Sequence, residues 1–374
     1  MPSAAPDCPR TPERQAAPGA RTGIEPDRTA AIPVLCAGHV AAEAVRAEAR
    51  WEVLAVFRRS VYCRGAGGAL LCLGPPSLGV GPLNLLCALP DGLCWDAGLL
   101  APGQAGSCDG GRLRLADRWT FRLEGAVVWR PARPPEPVDA AIVGAGLARL
   151  ARELPERPER GGLQPLLPWL ARGLFPPSDG WPASTPLLRL ALPGIESLAR
   201  WVEAGLADPG ACGPAPCPAA EILLGLGPGL TPSGDDLVGG LLVALCAFGQ
   251  PALADRLAAR LLAAAQGRTN AISLAHLAAA AGGSGAGALH DVLCALAAPG
   301  TPGLGERLRA IDPIGHTSGW DALAGATLAA ALIARGSPDR GHGAIRRAGP
   351  VCAARGEIGP DGPSRSATGL PGVP

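Results

Sequence analysis

Lysine is absent from this 374-residue chain, and every cationic side chain other than histidine is an arginine. That excludes a Schiff-base lysine and the lysine of a phosphate-binding P-loop within the chain. Aromatic residues are scarce, with one Tyr and four Phe, so the core must be built from Leu, Val, Ala and Trp. Charge of one sign is also missing. A formal net charge of +1 gives no basic field to hold a nucleic acid, and no nucleic-acid partner is expected. The twelve cysteines form no Cys-x-x-Cys pair and lie mostly in apolar runs such as "ALLCLG" and "LLVALCAFG". They read as small buried hydrophobes rather than as a disulfide framework or a zinc site. No apolar run is long enough to span a bilayer, because Arg, Asp, Gly and Pro interrupt each one. The first residues, "MPSAAPDCPRTPERQAAPGARTG", contain no apolar stretch of the secretory kind. The expected setting is therefore a reducing cytoplasm, with no membrane partner. Gly-x-Ser-x-Gly, His-Glu-x-x-His and Cys/His metal spacings are all missing.

What is present has a clear order along the chain. Residues 1–32 and 336–374 are rich in Pro, Arg and Ala without periodicity and read as disordered tails. Residues 33–135 hold a short helix, "AAEAVRAEARW". After it come strand-like pieces: "WEVLAVFRRSVYCR", "GALLCLG", "LNLLCAL" and "GRLRLADRWTFRLEGAVVW". Gly, Pro and Asp-Gly punctuate them as turns do, and "RLRLADRWTFRLE" alternates like a half-buried antiparallel strand. Residues 136–335 carry helix formers at helical spacing. Several segments there are apolar nearly all round, which predicts one or two central buried helices. The expected fold class is α+β: a β-rich N-terminal domain, for which a small barrel is one solution, followed by an all-helical C-terminal domain.

The most distinctive stretch is "LGLGPGLTPSGDDLVGG", Leu224 to Gly240. Gly225 and Gly227 fit the start of a dinucleotide fingerprint, but Leu230 stands where its third glycine belongs. Gly229 and Gly234 have P-loop spacing, yet Asp235 and Asp236 follow where Lys and Ser/Thr are needed. The inverted charge speaks against ordinary nucleotide-triphosphate binding. What the segment supplies is a helix start, with Ser233 as N-cap and Asp236 closing a capping-box-like arrangement. Acids in the first turn also suit the helix dipole. Capping needs neither both aspartates nor the glycines just upstream, including Gly227 and Gly229 beside Thr231. Glycines so dense let backbone approach something closely.

A second stretch, "IGHTSGWDALAG", repeats the pattern Ser-Gly-x-Asp-x-x-x-Gly. Ser233, Gly234, Asp236 and Gly240 correspond to Ser318, Gly319, Asp321 and Gly325. The spacing predicts two helix starts facing each other across a pseudo-symmetric pair. Their N–H groups and hydroxyls, Thr317 included, would line one anion-binding site. The aspartates would hold a metal, an amide or an Arg. A separation of Ser233 and Ser318 beyond about 15 Å would exclude a shared site, since hydrogen bonds reach about 3 Å. His316 precedes this second helix and is a candidate acid–base group. The third motif, "QGRTNAIS", reads as a tight turn between helices capped by Thr269 or Asn270. Arg268 in that turn either clamps a carboxylate or phosphate, or pairs with Asp235 or Asp236. His39, Arg58 and Arg59 are weaker candidates; His276 and His290 read as core or surface.

These three motifs, in this order, resemble a bacterial family long treated as a domain of unknown function. It includes the H subunit of oxamate carbamoyltransferase, from anaerobic allantoin degradation. The resemblance spans roughly Leu223 to Ala330, with a looser likeness in the β-rich part. It implies a subunit of a three-component assembly interconverting oxamate and carbamoyl phosphate with oxalurate and phosphate. Partners would be the other subunits and a small anionic amide or carbamoyl phosphate. The Ser-Thr-Arg-Thr-Arg loop of ordinary carbamoyltransferases is absent, so the resemblance does not say which component carries the chemistry. On this reading His316, Asp236 and Asp321 are the catalytic candidates, acting as donors or bases. Gly227, Gly229, Thr231, Ser233, Gly234, Asp235, Arg268, Thr269, Asn270, Thr317, Ser318 and Gly319 would bind substrate. The resemblance fixes no cofactor, though the aspartates could hold Mg²⁺. Two alternatives of other classes stay open: a non-catalytic binding or scaffolding subunit, and a stand-alone metal-dependent amide hydrolase or transferase.

Overall fold

The computed structural model describes residues 31–336, apart from 91, 135, 155–160, 175–184, 209–217 and 299. Both expected disordered tails lie outside the described residues, except for the few positions that adjoin the folded part.

The N-terminal strands are β1 (Ile32–Gly38), β2 (Arg50–Val56), β3 (Val61–Gly65), β4 (Leu70–Gly74) and β5 (Asn84–Cys87). They continue with β6 (Ala105–Asp109), β7 (Arg112–Leu115), β8 (Trp119–Arg122) and β9 (Val127–Trp129). They follow the order β5-β4-β3-β2-β6-β7-β8-β1, and β1 also pairs with β5, which closes a barrel. Closure removes the open edges that an eight-stranded sheet would leave. Beyond the end of β8, β9 takes over its place beside β1 in parallel register. The alternation read in "RLRLADRWTFRLE" is the barrel's in–out pattern. Leu113, Leu115, Trp119 and Phe121 are buried while Arg112 and Arg114 face out. Trp95 enters the same core and meets Trp119 edge to face at 4.8 Å, an arrangement that suits aromatic quadrupoles.

The helix expected over "AAEAVRAEARW" is shorter. It runs His39–Ala47 (α1), and Trp51 sits in β2, buried in the barrel. Pairing of β2 with both β3 and β6 draws those residues into the sheet, where tertiary context overrides helix propensity.

Nine α-helices follow among the described residues: α2 (Ala140–Glu153), α3 (Leu167–Ala171), α4 (Pro186–Ala207), α5 (Ser233–Ala247) and α6 (Pro251–Ala265). The last four are α7 (Ala271–Ala281), α8 (Gly287–Leu296), α9 (Leu304–Ile311) and α10 (Ser318–Arg335). α5 and α10 are buried nearly all round. They are the central helices that their uninterrupted apolarity predicts. α2, α3, α4 and α8 surround α10, while α6 and α7 flank α5.

The two central helices cross at bare backbone. A Cβ on Gly240 would lie 1.8 Å from the carbonyl oxygen of Ala322, and one on Gly325 would lie 1.8 Å from that of Leu237. The contact is reciprocal, since each glycine meets the residue three positions before its counterpart. The repeated glycine at the end of Ser-Gly-x-Asp-x-x-x-Gly thus sets the helix crossing. Barrel and helices belong to one compact unit, joined where Gly287 N donates to Val80 O at 2.8 Å. No helix among the described residues is long and apolar enough to cross a membrane.

Candidate ligand site at two converging helix starts

The loop before α5 is shaped by glycines at positive φ. Gly225 (φ 75°) presses so close to the turn after α6 that a Cβ would meet Arg268 O at 2.1 Å; Gly227 (φ 117°) lies against Ser233. A side chain at either position would push the loop off the helix start. Gly229 also takes a positive φ but has nothing beside it, and it is exposed. Gly234 N donates to Leu226 O at 2.9 Å and Gly319 N to Ile314 O at 3.0 Å. These equivalent glycines fold each preceding loop onto its own helix.

The capping expected of Ser233 does not occur. Pro232 holds the N-cap position of α5 and Thr317 that of α10, and neither helix receives a side-chain cap. The serines instead reach across. The Ser233 hydroxyl lies against the carboxylate of Asp321, while the Ser318 and Thr231 hydroxyls lie against Asp236. Thr231 Oγ1 and Ser318 Oγ are 2.7 Å apart, so the two helix starts meet. The repeated Ser and Asp positions therefore pair between the helices and not within them.

The two aspartates adjacent in sequence have different surroundings. Asp235 is buried and its acceptors are used: it takes hydrogen bonds from Gly225 N at 2.8 Å, from Ser273 Oγ at 2.6 Å and from the Thr269 hydroxyl. It ties the glycine loop to α7. Asp236 and Asp321 each keep one carboxylate oxygen, Oδ2, buried and without a partner. Asp321 Oδ1 accepts from Leu163 N at 2.6 Å. Gly162 before it has φ 67°, and a Cβ there would lie 2.4 Å from the same oxygen.

Electrostatics follow from this burial. Desolvation is the largest effect on Asp321 and raises its carboxyl to about 6, against the hydrogen bonds of Leu163, Ser233 and Thr317. Asp236 is pushed well above the usual carboxylate range, first by desolvation and then by the charge of Asp321. Two like charges so placed resist double ionisation, and the pair titrates jointly. The arrangement can donate from a protonated carboxyl, accept at an ionised one, or receive N–H groups from a ligand.

The remaining sequence candidates divide. Asn270 caps α7 by accepting from Ile272 N and Ser273 N, and its Nδ2 donates to Leu230 O at 2.7 Å. Thr269 belongs to the Asp235 network. Arg268 is exposed and pairs with Glu221 at 3.2 Å, together with Arg260; neither expected aspartate is its partner. His316 is exposed at the approach to α10. His39 sits at the join of barrel and helices, its Nε2 3.4 Å from Ser284 Oγ. His290 Nε2 accepts from Gly285 N. Arg59 donates to Ser77 O at 2.7 Å, on the surface.

Two further residues with perturbed titration, beyond the motifs, were not singled out in the sequence as site candidates. Burial pushes the Tyr62 phenol of β3 well above its ordinary range, with Cys72 and then Asp236 adding smaller effects in the same direction, and its ring meets His276 of α7 edge to face at 6.4 Å. His276 is driven down to about 4 by burial, so its ring is neutral at physiological pH. The only available signal was that Tyr62 is the single tyrosine of the chain. Among the described residues no group of three or more His, Cys, Asp or Glu side chains is gathered to hold a metal ion. A cleft of about 500 Å³ opens elsewhere, between α1 and the β6–β7 turn. It shares no residue with the helix starts.

Comparison with known proteins agrees with the motif resemblance. Residues 223–330 match the model of the family described as oxamate carbamoyltransferase subunit AllH. The matched stretch begins just before the glycine loop and includes all of α5 to α9 and most of α10; the barrel lies outside it. No curated protein and no solved structure is significantly similar to the chain.

Proposed function

We propose that this chain is an oxamate-carbamoyltransferase-type subunit that binds the ureido or amide end of a carbamoyl compound between α5 and α10. One observation carries the reading: Asp236 and Asp321, each contacted by a hydroxyl from the other helix start, each keep a buried carboxylate oxygen without a partner. Burying such atoms is costly unless something binds them. A primary amide presents N–H donors that a carboxylate accepts and a carbonyl oxygen that a protonated carboxyl can meet.

On this reading, phosphorolysis of oxalurate runs as follows. A phosphate oxygen attacks the carbamoyl carbon, and the bond from that carbon to the oxamate nitrogen breaks. Carbamoyl phosphate leaves, and the oxamate nitrogen takes the proton. The protonated member of the Asp236–Asp321 pair supplies that proton, and in the reverse direction the ionised member removes it. The Thr231, Ser233, Thr317 and Ser318 hydroxyls orient the substrate. His316, exposed at the approach to α10, and Arg268, exposed in the turn after α6, serve the anionic end or a partner subunit. Asp235, Thr269 and Asn270 hold the loop that carries Gly227 and Gly229.

The test is reconstitution with the other components and an oxalurate phosphorolysis assay, using wild type, Asp236→Asn and Asp321→Asn. Loss of turnover by about 10²-fold or more in both variants is expected for a proton-transfer pair. Full activity in both would refute the assignment. A second reading has an observation of its own. The cross-helix hydroxyl contacts also lock α5 to α10, as a non-catalytic scaffolding subunit would need. It predicts unchanged turnover together with weaker assembly.

A further inference from the structure

We infer that the strap Gly161–Leu163 divides the roles between the two carboxyls: by donating the Leu163 N–H to Asp321, it makes Asp321 the ionised, accepting member and leaves the proton on Asp236. The inference rests on the reading of these carboxyls as a ligand site. It adds a positioning element from outside the family-matched stretch.

Burial alone would give the opposite assignment. Asp321 is fully enclosed, whereas Asp236 is partly accessible, and the more enclosed carboxyl is the harder to ionise. Both receive hydroxyls at the helix starts, Asp321 from Ser233 and Thr317, Asp236 from Ser318 and Thr231. What separates them is the main chain. Leu163 N donates to Asp321 Oδ1 at 2.6 Å, short for an amide donor, as bonds to charged acceptors are. Among the described residues no backbone amide donates to Asp236. A donor of this kind favours the carboxylate over the acid. In keeping with it, Asp321 rises only to about 6, while Asp236 is pushed well above the usual range.

The strap is built to hold this donor in place. Gly161 and Gly162 take φ of 89° and 67°, and a Cβ on Gly162 would lie 2.4 Å from Oδ1 and 2.9 Å from Oδ2. Glycine lets the backbone run directly against the carboxylate. Leu163 and, just beyond it, Leu166 and Leu167 are buried in the helical core, so the amide is fixed. Among the described residues, the charges acting on these two carboxyls are carboxylates: Asp321, and more weakly Asp235, on Asp236. No Arg or His is among them, so the neutral amide decides which carboxyl ionises first.

In phosphorolysis, ionised Asp321 then accepts N–H groups of the carbamoyl amide. Asp236 gives its proton to the oxamate nitrogen as that nitrogen's bond to the carbamoyl carbon breaks. The proton shed by the attacking phosphate restores it. The acid limb of the pH–rate profile reports Asp321, and the basic limb reports Asp236.

The experiment uses the full chain, reconstituted with the other components, in which Leu163 is replaced by its α-hydroxy analogue. The resulting ester keeps the side chain and removes the N–H. The acid limb of oxalurate phosphorolysis should move up by roughly one pH unit. A merely structural strap would lower stability or assembly and leave the limb where it is, and an unmoved limb overturns the inference. A neutron structure of the wild-type chain at pH 7.5 needs neither turnover nor the variant. It should show a deuteron on Asp236 and none on Asp321; a deuteron on Asp321, or none on Asp236, overturns the inference. If the wild-type complex does not turn over oxalurate, the proposed function fails instead, and the neutron structure alone decides which carboxyl holds the proton.

Discussion

Replacing Asp321 by Asn should stabilise the protein at neutral pH while abolishing its function. The carboxyl of Asp321 is fully buried and rises from 3.8 to about 6, chiefly by desolvation. Below 3.8 the folded and unfolded chains both hold the proton, and the full stability is present. As the pH rises through about 6, the folded chain must also ionise a group that its surroundings disfavour. Each pH unit between the two values removes about 1.4 kcal/mol, so about 3 kcal/mol has been lost by pH 7. Asparagine is uncharged at every pH, and its Oδ1 can still accept from Leu163 N. Asp321→Asn should therefore gain up to about 3 kcal/mol over wild type at pH 8 and almost nothing at pH 4. Relief of repulsion on Asp236 adds in the same direction. Urea denaturation at pH 4, 6 and 8 reads the difference from the transition midpoints at constant slope. A variant whose stability relative to wild type is the same at pH 4 and pH 8 would refute the reasoning, whatever its sign. The expected trade is the mark of a site whose charges serve something other than folding.

Asp235→Ala should do the opposite of Asp321→Asn. It strands the Gly225 amide and the Thr269 and Ser273 hydroxyls and should cost about 2–4 kcal/mol, seen as an early thermal transition. Gly240→Ala and Gly325→Ala must force apart the backbones of α5 and α10, now in contact, and should cost about 3 kcal/mol or more. In Gly239→Ala the new Cβ meets only Ala280 and Leu277, at 3.7 and 3.9 Å, and this change should be neutral or stabilising by up to about 1 kcal/mol. Equal losses in all three would contradict the crossing geometry. Gly162→Ala places a methyl on the Asp321 carboxylate at a strained φ. It should weaken oxalurate binding measurably in calorimetry, on top of a stability loss of about 1–3 kcal/mol.

The order of the fold was legible from local pattern. In–out alternation in "RLRLADRWTFRLE" marks a strand pair, and the all-round apolarity of "DDLVGGLLVALCAF" marks a buried helix, because these periods depend only on backbone geometry. Where the strand "WEVLAVF" begins was not legible. Propensity carried the helix through to Trp51, and only pairing with β3 and β6 ends it early.

The repeated Ser-Gly-x-Asp-x-x-x-Gly also announced by itself that two helix starts share one design. Its chemistry was decided by packing. A serine at a helix start reads as a cap on its own helix, yet here each serine serves the aspartate of the other helix. Adjacent Asp235 and Asp236 look interchangeable in sequence. One turns toward the loop and α7 and is satisfied, while the other turns toward α10 and retains a bare oxygen. Arg268, with its fork of donors, was free to choose among several acids, and the position of Glu221 chose for it. Leu163 lies far from Asp321 along the chain, and no local signal links them. Sequence determines local periodicity, turn chemistry and which residues recur; which carboxylates are left unpartnered, and what faces them, depends on distances that only the closed fold creates.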